Sequence, residues 1–143
     1  MRSPLVLYWD SSALVSVLVP DPQREEALRW AQGPATHVIS TLAWAEGLAV
    51  IARFQHERKI SARAAEAARE EIGQAPWERF QDSPDWAILH ELASRWTLPG
   101  ADLWHLALAK TLQQERPELR LLSFDDRLSK AAAGEGLAAT TST

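Results

Sequence analysis

Leu5-Val6-Leu7-Tyr8-Trp9 is an unbroken apolar run of strand formers, the pattern of a strand covered on both faces, and it stops at Asp10. Residues 11–18 read as a helix, and Pro20-Asp21-Pro22 separates it from a second over residues 23–32, where Arg24, Glu25, Glu26 and Arg29 form a solvated face. Residues 36–40 form a second short strand, with Ser40 or Thr41 as the N-cap of a long helix reaching about Arg58. Residues 61–74 are alanine-rich with alternating charge and read as a helix with one exposed face; residues 77–80 read as a short third strand. Pro84 opens a helix to about Arg95, which Leu98-Pro99-Gly100 ends, and residues 101–115 form the next. Residues 119–124 are the clearest late strand, residues 125–133 a helix, and residues 137–140 a last edge strand of poor strand composition. Strands alternating with helices predict an α/β fold whose helices layer onto a mainly parallel central sheet, with no repeat and no linker.

A chain of 143 residues has room for one hydrophobic core and not for two, so residues 1–143 read as a single domain. Without cysteine there is no disulfide, thiol nucleophile or zinc ribbon, and any metal must be held by oxygen or by one of the four histidines. The longest charge-free stretch, residues 30–45, is too short and too broken by Gly33 and Pro34 to span a bilayer. The first apolar run is interrupted by Asp10 and lacks a small-residue cleavage pattern, so a cytoplasmic protein is expected. The net charge of −4 argues, at first sight, against a nucleic-acid partner.

The distribution of charge says more than its sum. Asp10 is the only charged residue between Arg2 and Asp21, Glu46 the only one between Arg29 and Arg53, and Asp102 the only one between Arg95 and Lys110. A carboxylate in apolar surroundings must be paired, protonated or bound to a cation, and no Lys or Arg lies near these three in sequence. Asp10 follows the first strand and Asp125 the last clear one, and in a parallel sheet all carboxyl ends lie on the edge where ligands bind. Glu46 lies on the packed face of its helix with Leu42, Ala49 and Val50, and Asp102 shares a helix face with His105, Leu106 and Ala109. Four acids from four segments thus converge on one edge. Two carboxylates about 4 Å apart repel by roughly 4 kcal/mol at an effective dielectric near 20, so such a cluster needs protons or cations. Oxygen ligands without Cys or a His pair favour Mg²⁺ or Mn²⁺, and the chemistry they suit is metal-assisted phosphodiester hydrolysis.

Structural roles compete for the same residues. Asp10 and Asp102 are also suited to cap or charge the amino ends of their helices, and Asp126 to close a Ser123-x-x-Asp126 capping box. Glu46, mid-helix in an apolar run, has no comparable structural role. His105 reads as a packed, hydrogen-bonded core residue, and Trp9, Trp44 and Trp104 as core or dimer contacts. Arg53, His56, Arg58, Lys59 and Arg63 form the one dense basic cluster, either an RNA-backbone contact or a solvated helix end.

The chain resembles the PIN-domain ribonucleases, and within them the VapC-like toxins of toxin–antitoxin pairs. The resemblance rests on Tyr8-Trp9-Asp10-Ser11-Ser12-Ala13-Leu14-Val15, on Ser40 with Glu46, on Gly100-Ala101-Asp102-Leu103-Trp104-His105-Leu106-Ala107, and on Ser123-Phe124-Asp125-Asp126-Arg127-Leu128 with Ala131 to Gly136. These pieces span nearly the whole chain in the family's order. The resemblance implies a three-layer α/β/α domain, with Asp10, Glu46, Asp102 and Asp125 holding Mg²⁺ or Mn²⁺ and cutting RNA. It also implies a homodimer and a cognate antitoxin protein. Ser12 matches a hydroxyl near the metal and Ser123 the hydroxyl residue before the last acid, although Ser12 is equally suited to a structural role. The last motif has adjacent acids, and its strand-end position favours Asp125 over Asp126 as the one facing the metal.

Two other readings are open. A phospho-accepting receiver wants its acid pair after the first strand and a haloacid-type phosphatase wants Asp-x-Asp, where this chain has Ser12. A PIN-like domain that binds RNA or a protein without cutting would keep the fold and lack metal-dependent activity.

Overall fold

The computed structural model describes residues 4–139. Its elements are β1 (Leu5–Trp9), α1 (Ser11–Leu18), α2 (Arg24–Gln32), β2 (Ala35–Ser40), α3 (Thr41–His56), α4 (Ala62–Gln74), β3 (Glu78–Phe80), α5 (Trp86–Arg95), α6 (Gly100–Glu115), β4 (Leu119–Leu122) and α7 (Asp126–Gly134). The four strands are all parallel, in the order β3-β2-β1-β4.

The apolar run of β1 earns it a central place, because strand alternation sends its side chains into two cores. Val6 and Tyr8 join residues of α5, α6 and α7 on one face, while Leu7 and Trp9 join residues of α1 to α4 on the other. All four are at most 1% exposed. Burying each large side chain stabilises the fold by about 1.5–3 kcal/mol, which is what holds three layers together. The expected α/β/α architecture is the one observed.

From β1 the chain crosses to β2 and onward to β3, then returns through α5 and α6 to β4 on the far side of β1. Strand order therefore reverses between β1 and β4, and the crevice at their carboxyl ends is the place where open α/β sheets bind ligands. Gly47 lets α3 lie close to α1, since a Cβ there would stand 2.8 Å from Leu14 Cδ2. This close approach brings the Glu46 turn of α3 toward the α1 side of that crevice.

Three expectations change. Residues 137–140 form no strand: a single bridge joins Leu121 to Ala138, and Thr140 lies outside the described residues. Small alanine side chains offer an edge strand little to pack. The strand expected over residues 119–124 ends at Leu122, where Ser123 leaves the ladder to bond Asp10. The helix expected from Pro84 begins at Trp86, because Asp85 supplies the cap by accepting from Ile88 N–H at 3.0 Å.

Candidate active site

Register sets the first part of the site. Trp9 lies opposite Leu122, and the Asp10 N–H donates to the Leu122 carbonyl at 3.2 Å, so Asp10 and Ser123 stand side by side at the strand ends. Asp10 is 2% exposed. Its Oδ1 accepts from Ala13 N–H at 2.8 Å, capping α1, and the Ser12 hydroxyl donates to the same oxygen at 2.8 Å. The Ser123 hydroxyl donates to Oδ2 at 2.5 Å. Capping and membership of an acid cluster therefore coexist in one residue. Burial pushes the Asp10 carboxyl above the ordinary carboxylate range, opposed by Ser123, the Ala13 N–H, Ser12 and the charge of His105. Ser12 Oγ also accepts from Phe124 N–H at 3.0 Å and Ser123 Oγ from Asp125 N–H at 3.1 Å, so the two hydroxyls tie the end of β4 to α1.

Glu46 finds its partner across the crevice, 59 residues away: its Oε1 lies 2.7 Å from His105 Nε2 on α6. His105 Nδ1 lies 2.7 Å from the Tyr8 hydroxyl. Burial pushes the Tyr8 phenol far above its ordinary range, against a smaller pull from the Ser40 hydroxyl, so it stays protonated. The arrangement that satisfies every group has Tyr8 O–H donating to Nδ1 and Nε2–H donating to Glu46, which fixes the tautomer of the imidazole. His105, 1% exposed, is indeed a packed and hydrogen-bonded core residue. It also holds one oxygen of Glu46, a role the sequence reading left aside, as it did the role of Tyr8. Both lay within motifs already singled out, Tyr8 two residues before Asp10 and His105 three after Asp102.

Asp102 is the third residue of α6, whose N-cap is Pro99, so it charges the helix end without capping it. Among the described residues no protein donor reaches its carboxylate. Burial raises the Asp102 carboxyl above its ordinary range, followed by the charges of Asp125 and Asp10; His105 opposes and Glu46 adds a smaller push. One carboxylate therefore feels the other three. Asp125 is half-buried and caps α7, accepting from Leu128 N–H at 2.9 Å, whereas Asp126 is exposed. The Ser123-x-x-Asp126 capping box does not form, because the Ser123 hydroxyl is committed to Asp10. Of the two adjacent acids it is Asp125 whose charge reaches the cluster.

Among the described residues no Lys or Arg pairs with any of the four acids; the one cationic partner is His105, if protonated. Nor do three His, Asp or Glu side chains there stand close enough to grip one ion as they lie. Asp10 commits both carboxylate oxygens inside the protein, and Asp125 and Glu46 commit one each. The donor set nevertheless suits a hard divalent cation: it is all carboxylate, with like charges that a cation would neutralise and with Asp102 unencumbered. A groove of about 600 Å³ opens beside Ser12 and Glu46, lined further by Val15, Gln23, Val50 and Phe124.

The basic cluster lies elsewhere. His56, the last residue of α3, is ten residues beyond Glu46, roughly 15 Å at helical rise, and Arg58 follows the helix end; Arg53 and Lys59 both pair with Glu57 at 3.7 and 3.6 Å. It is a solvated helix end. Trp9 is fully buried and packs edge-on against Trp77, as a core residue should.

A model of the family described as PIN domain matches residues 7–134. No curated protein is similar enough in sequence to match. Among solved structures, FitAcB from Neisseria gonorrhoeae is similar with a TM-score of 0.63 and 18% identity, over 90% of this chain and 94% of that one. PAE2754 from Pyrobaculum aerophilum gives 0.60 and 16%, over 89% and 84% of the two chains. VapC20 of Mycobacterium tuberculosis, described as a Sarcin-Ricin loop cleaving toxin, gives 0.59 and 16%, over 87% and 94%.

Proposed function

This chain belongs to the PIN-domain family, and from that premise we propose that it is a Mg²⁺- or Mn²⁺-dependent endoribonuclease and the toxin of a type II toxin–antitoxin pair. The observation that carries the reading is that Asp10, Glu46, Asp102 and Asp125 act on one another at the β1/β4 reversal, with no Lys or Arg paired to any of them among the described residues. Similarity of fold to VapC20, a toxin that cleaves the Sarcin-Ricin loop, supports RNA as substrate and an antitoxin as partner. The reading includes a homodimer acting in the cytoplasm, and among the described residues no helix is long and apolar enough to cross a membrane.

A Mg²⁺ or Mn²⁺ ion held by Asp10, Asp102, Asp125 and Glu46 would neutralise the scissile phosphate, polarise its oxygens and make water a better nucleophile. The residues themselves do the positioning. Ser12 and Ser123 hold Asp10 to one orientation. Among the described residues no donor occupies either oxygen of Asp102, and the burial and neighbouring carboxylates that raise it are a cost that a bound cation would relieve. Glu46, held at Oε1 by His105 and thereby by Tyr8, keeps Oε2 free either to join the ion's ligands or to orient the attacking water and accept its proton. Setting the four acids aside leaves the rest of the chain neutral, so the acidity that argued against RNA belongs to the site. Without metal, RNA binding is then expected to be weak.

RNA incubated with the protein and Mn²⁺ should be cut, chelation by EDTA should stop cutting, and Asp10→Asn or Asp102→Asn should abolish it with the circular dichroism spectrum unchanged. Full activity in either variant sinks the site. The acids' failure to form a ready-made cage favours a second reading, a PIN domain that binds without cutting. That reading predicts no chelator-sensitive cleavage at all.

A further inference from the structure

The carboxyl edge of the sheet carries a second feature two strands away from Asp10. There the ends of β2 and β3, with Ser40 opposite Phe80, border an apolar slot of about 310 Å³ lined by Ile39, Trp44, Leu48, Arg79 and Phe80. The Arg79 guanidinium lies over the Trp44 ring, 4.5 Å from its centroid, and its Nη2 donates to the Gly73 carbonyl at 3.1 Å, which fixes the stack. Among the described residues no carboxylate pairs with Arg79, unlike Arg116 beside Phe80, which pairs with Glu78 at 3.1 Å. An arginine without a carboxylate partner, held over an aromatic ring beside an apolar slot, is a platform for something planar and anionic.

We propose that this slot takes one nucleobase of the RNA strand, stacked on the Arg79–Trp44 platform, with the Arg79 charge answering a neighbouring phosphate. The proposal rests on the RNA-cutting reading above and adds to it a subsite that selects and seats the strand. Adjacent strands lie about 4.8 Å apart, so the slot is roughly 10 Å from the strand bearing Asp10, within the reach of one or two nucleotides. Charge complementarity favours a nucleotide over an apolar protein side chain: the acid cluster needs a cation before it tolerates phosphate, while Arg79 attracts phosphate unaided. The distant basic cluster, already neutralised in part by Glu57, does not supply this.

The test is steady-state cleavage of a short single-stranded RNA by the wild type, Trp44→Ala and Arg79→Ala. Base stacking predicts that KM rises about 5- to 100-fold while kcat changes less than about twofold, and that Trp44→Phe restores most of the loss. An abasic site walked along the RNA should reproduce the KM loss at one position in the wild type and add nothing in Trp44→Ala. Trp86→Ala, at an 82% exposed position on α5, should leave KM unchanged. Should Trp44→Ala fail to fold, the exposed Arg79 carries the test alone. Unchanged KM in Arg79→Ala, or indifference to abasic sites at every position, overturns the nucleobase assignment and leaves the slot to a protein side chain. If the chain cuts no RNA, the function fails, and the slot is judged by fluorescence anisotropy of the labelled RNA in Mn²⁺ at low salt. Weaker binding by the two variants then upholds it, and equal or absent binding overturns it.

Discussion

Asp102→Asn removes one charge at nearly constant volume and separates a site carboxylate from a structural one without any activity measurement. If Asp102 serves only to charge the start of α6, its loss costs about 0.3–1 kcal/mol. If it belongs to a like-charged cluster, its loss relieves repulsion from Asp125, Asp10 and Glu46. A carboxylate pair about 8 Å apart repels by roughly 2 kcal/mol at an effective dielectric near 20. Partial exposure of Asp102 cuts this, so after screening we take about 1–2 kcal/mol of relief from all neighbours together. Set against the helix-end loss, the metal-free variant should be more stable than the wild type by about 0.5–1 kcal/mol, or about 2–4 °C in Tm for a chain of this size. The sign with pH follows from the raised carboxyl. Its ionised form is penalised in the folded state, so the cost is present above the raised pKa and disappears as pH falls toward the ordinary carboxylate range. Differential scanning calorimetry in EDTA at pH 7 and low salt measures the difference. Added Mn²⁺ should raise the wild-type Tm and leave the variant nearly unmoved. A variant less stable than the wild type in EDTA refutes the cluster and returns Asp102 to a helix-end role.

Other consequences are as direct. Arg95 donates to Glu135 at 2.9 and 3.0 Å and Trp96 at 2.8 Å, and these bonds, Arg95 first, hold the Glu135 carboxyl down at about 2 from 4.5. The shift alone would be worth about 3 kcal/mol, but the Arg95 side chain is 47% exposed, so Glu135→Gln should cost about 1–2 kcal/mol in urea unfolding at pH 7. A depressed acid contributes above its unfolded value, so the difference should fade as pH falls from about 4.5 toward 2, and a constant difference down to pH 2.5 contradicts it. Ser123→Ala withdraws the strongest hydrogen bond opposing the rise of Asp10, so the acid limb of the kcat/KM profile should move to higher pH; an unmoved limb means that Asp10 does not titrate in the reaction. A Cβ at Gly134 would stand 2.5 Å from the Trp96 ring, which Glu135 anchors, so Gly134→Ala should destabilise by about 1–3 kcal/mol despite better helix propensity. Gly73→Ala in α4 meets nothing within 4 Å and should stabilise by up to about 1 kcal/mol, which makes the pair an internal control in thermal melts.

Read from the chain alone, periodicity locates all eleven elements of the described residues and the parallel α/β plan, because apolar runs, caps and breakers are local signals that packing here reinforces. The isolated acids were legible for the same reason: a lone carboxylate in an apolar stretch stands out without any structure. Local patterning failed where a side chain had two partners to choose from. Ser123 has the spacing for a capping box, yet register sets it beside Asp10, and a bond to a buried carboxylate outweighs a bond to a solvated helix end. Small residues near the carboxyl terminus left the expected fifth strand as one bridge. The pairing of Glu46 with His105 and Tyr8, and the stacking of Arg79 on Trp44, join residues 35 to 97 positions apart. No spacing rule reaches that far. Residue identity determined which charges this protein would have to bury, and the strand order, reversing between β1 and β4, decided which of them would meet.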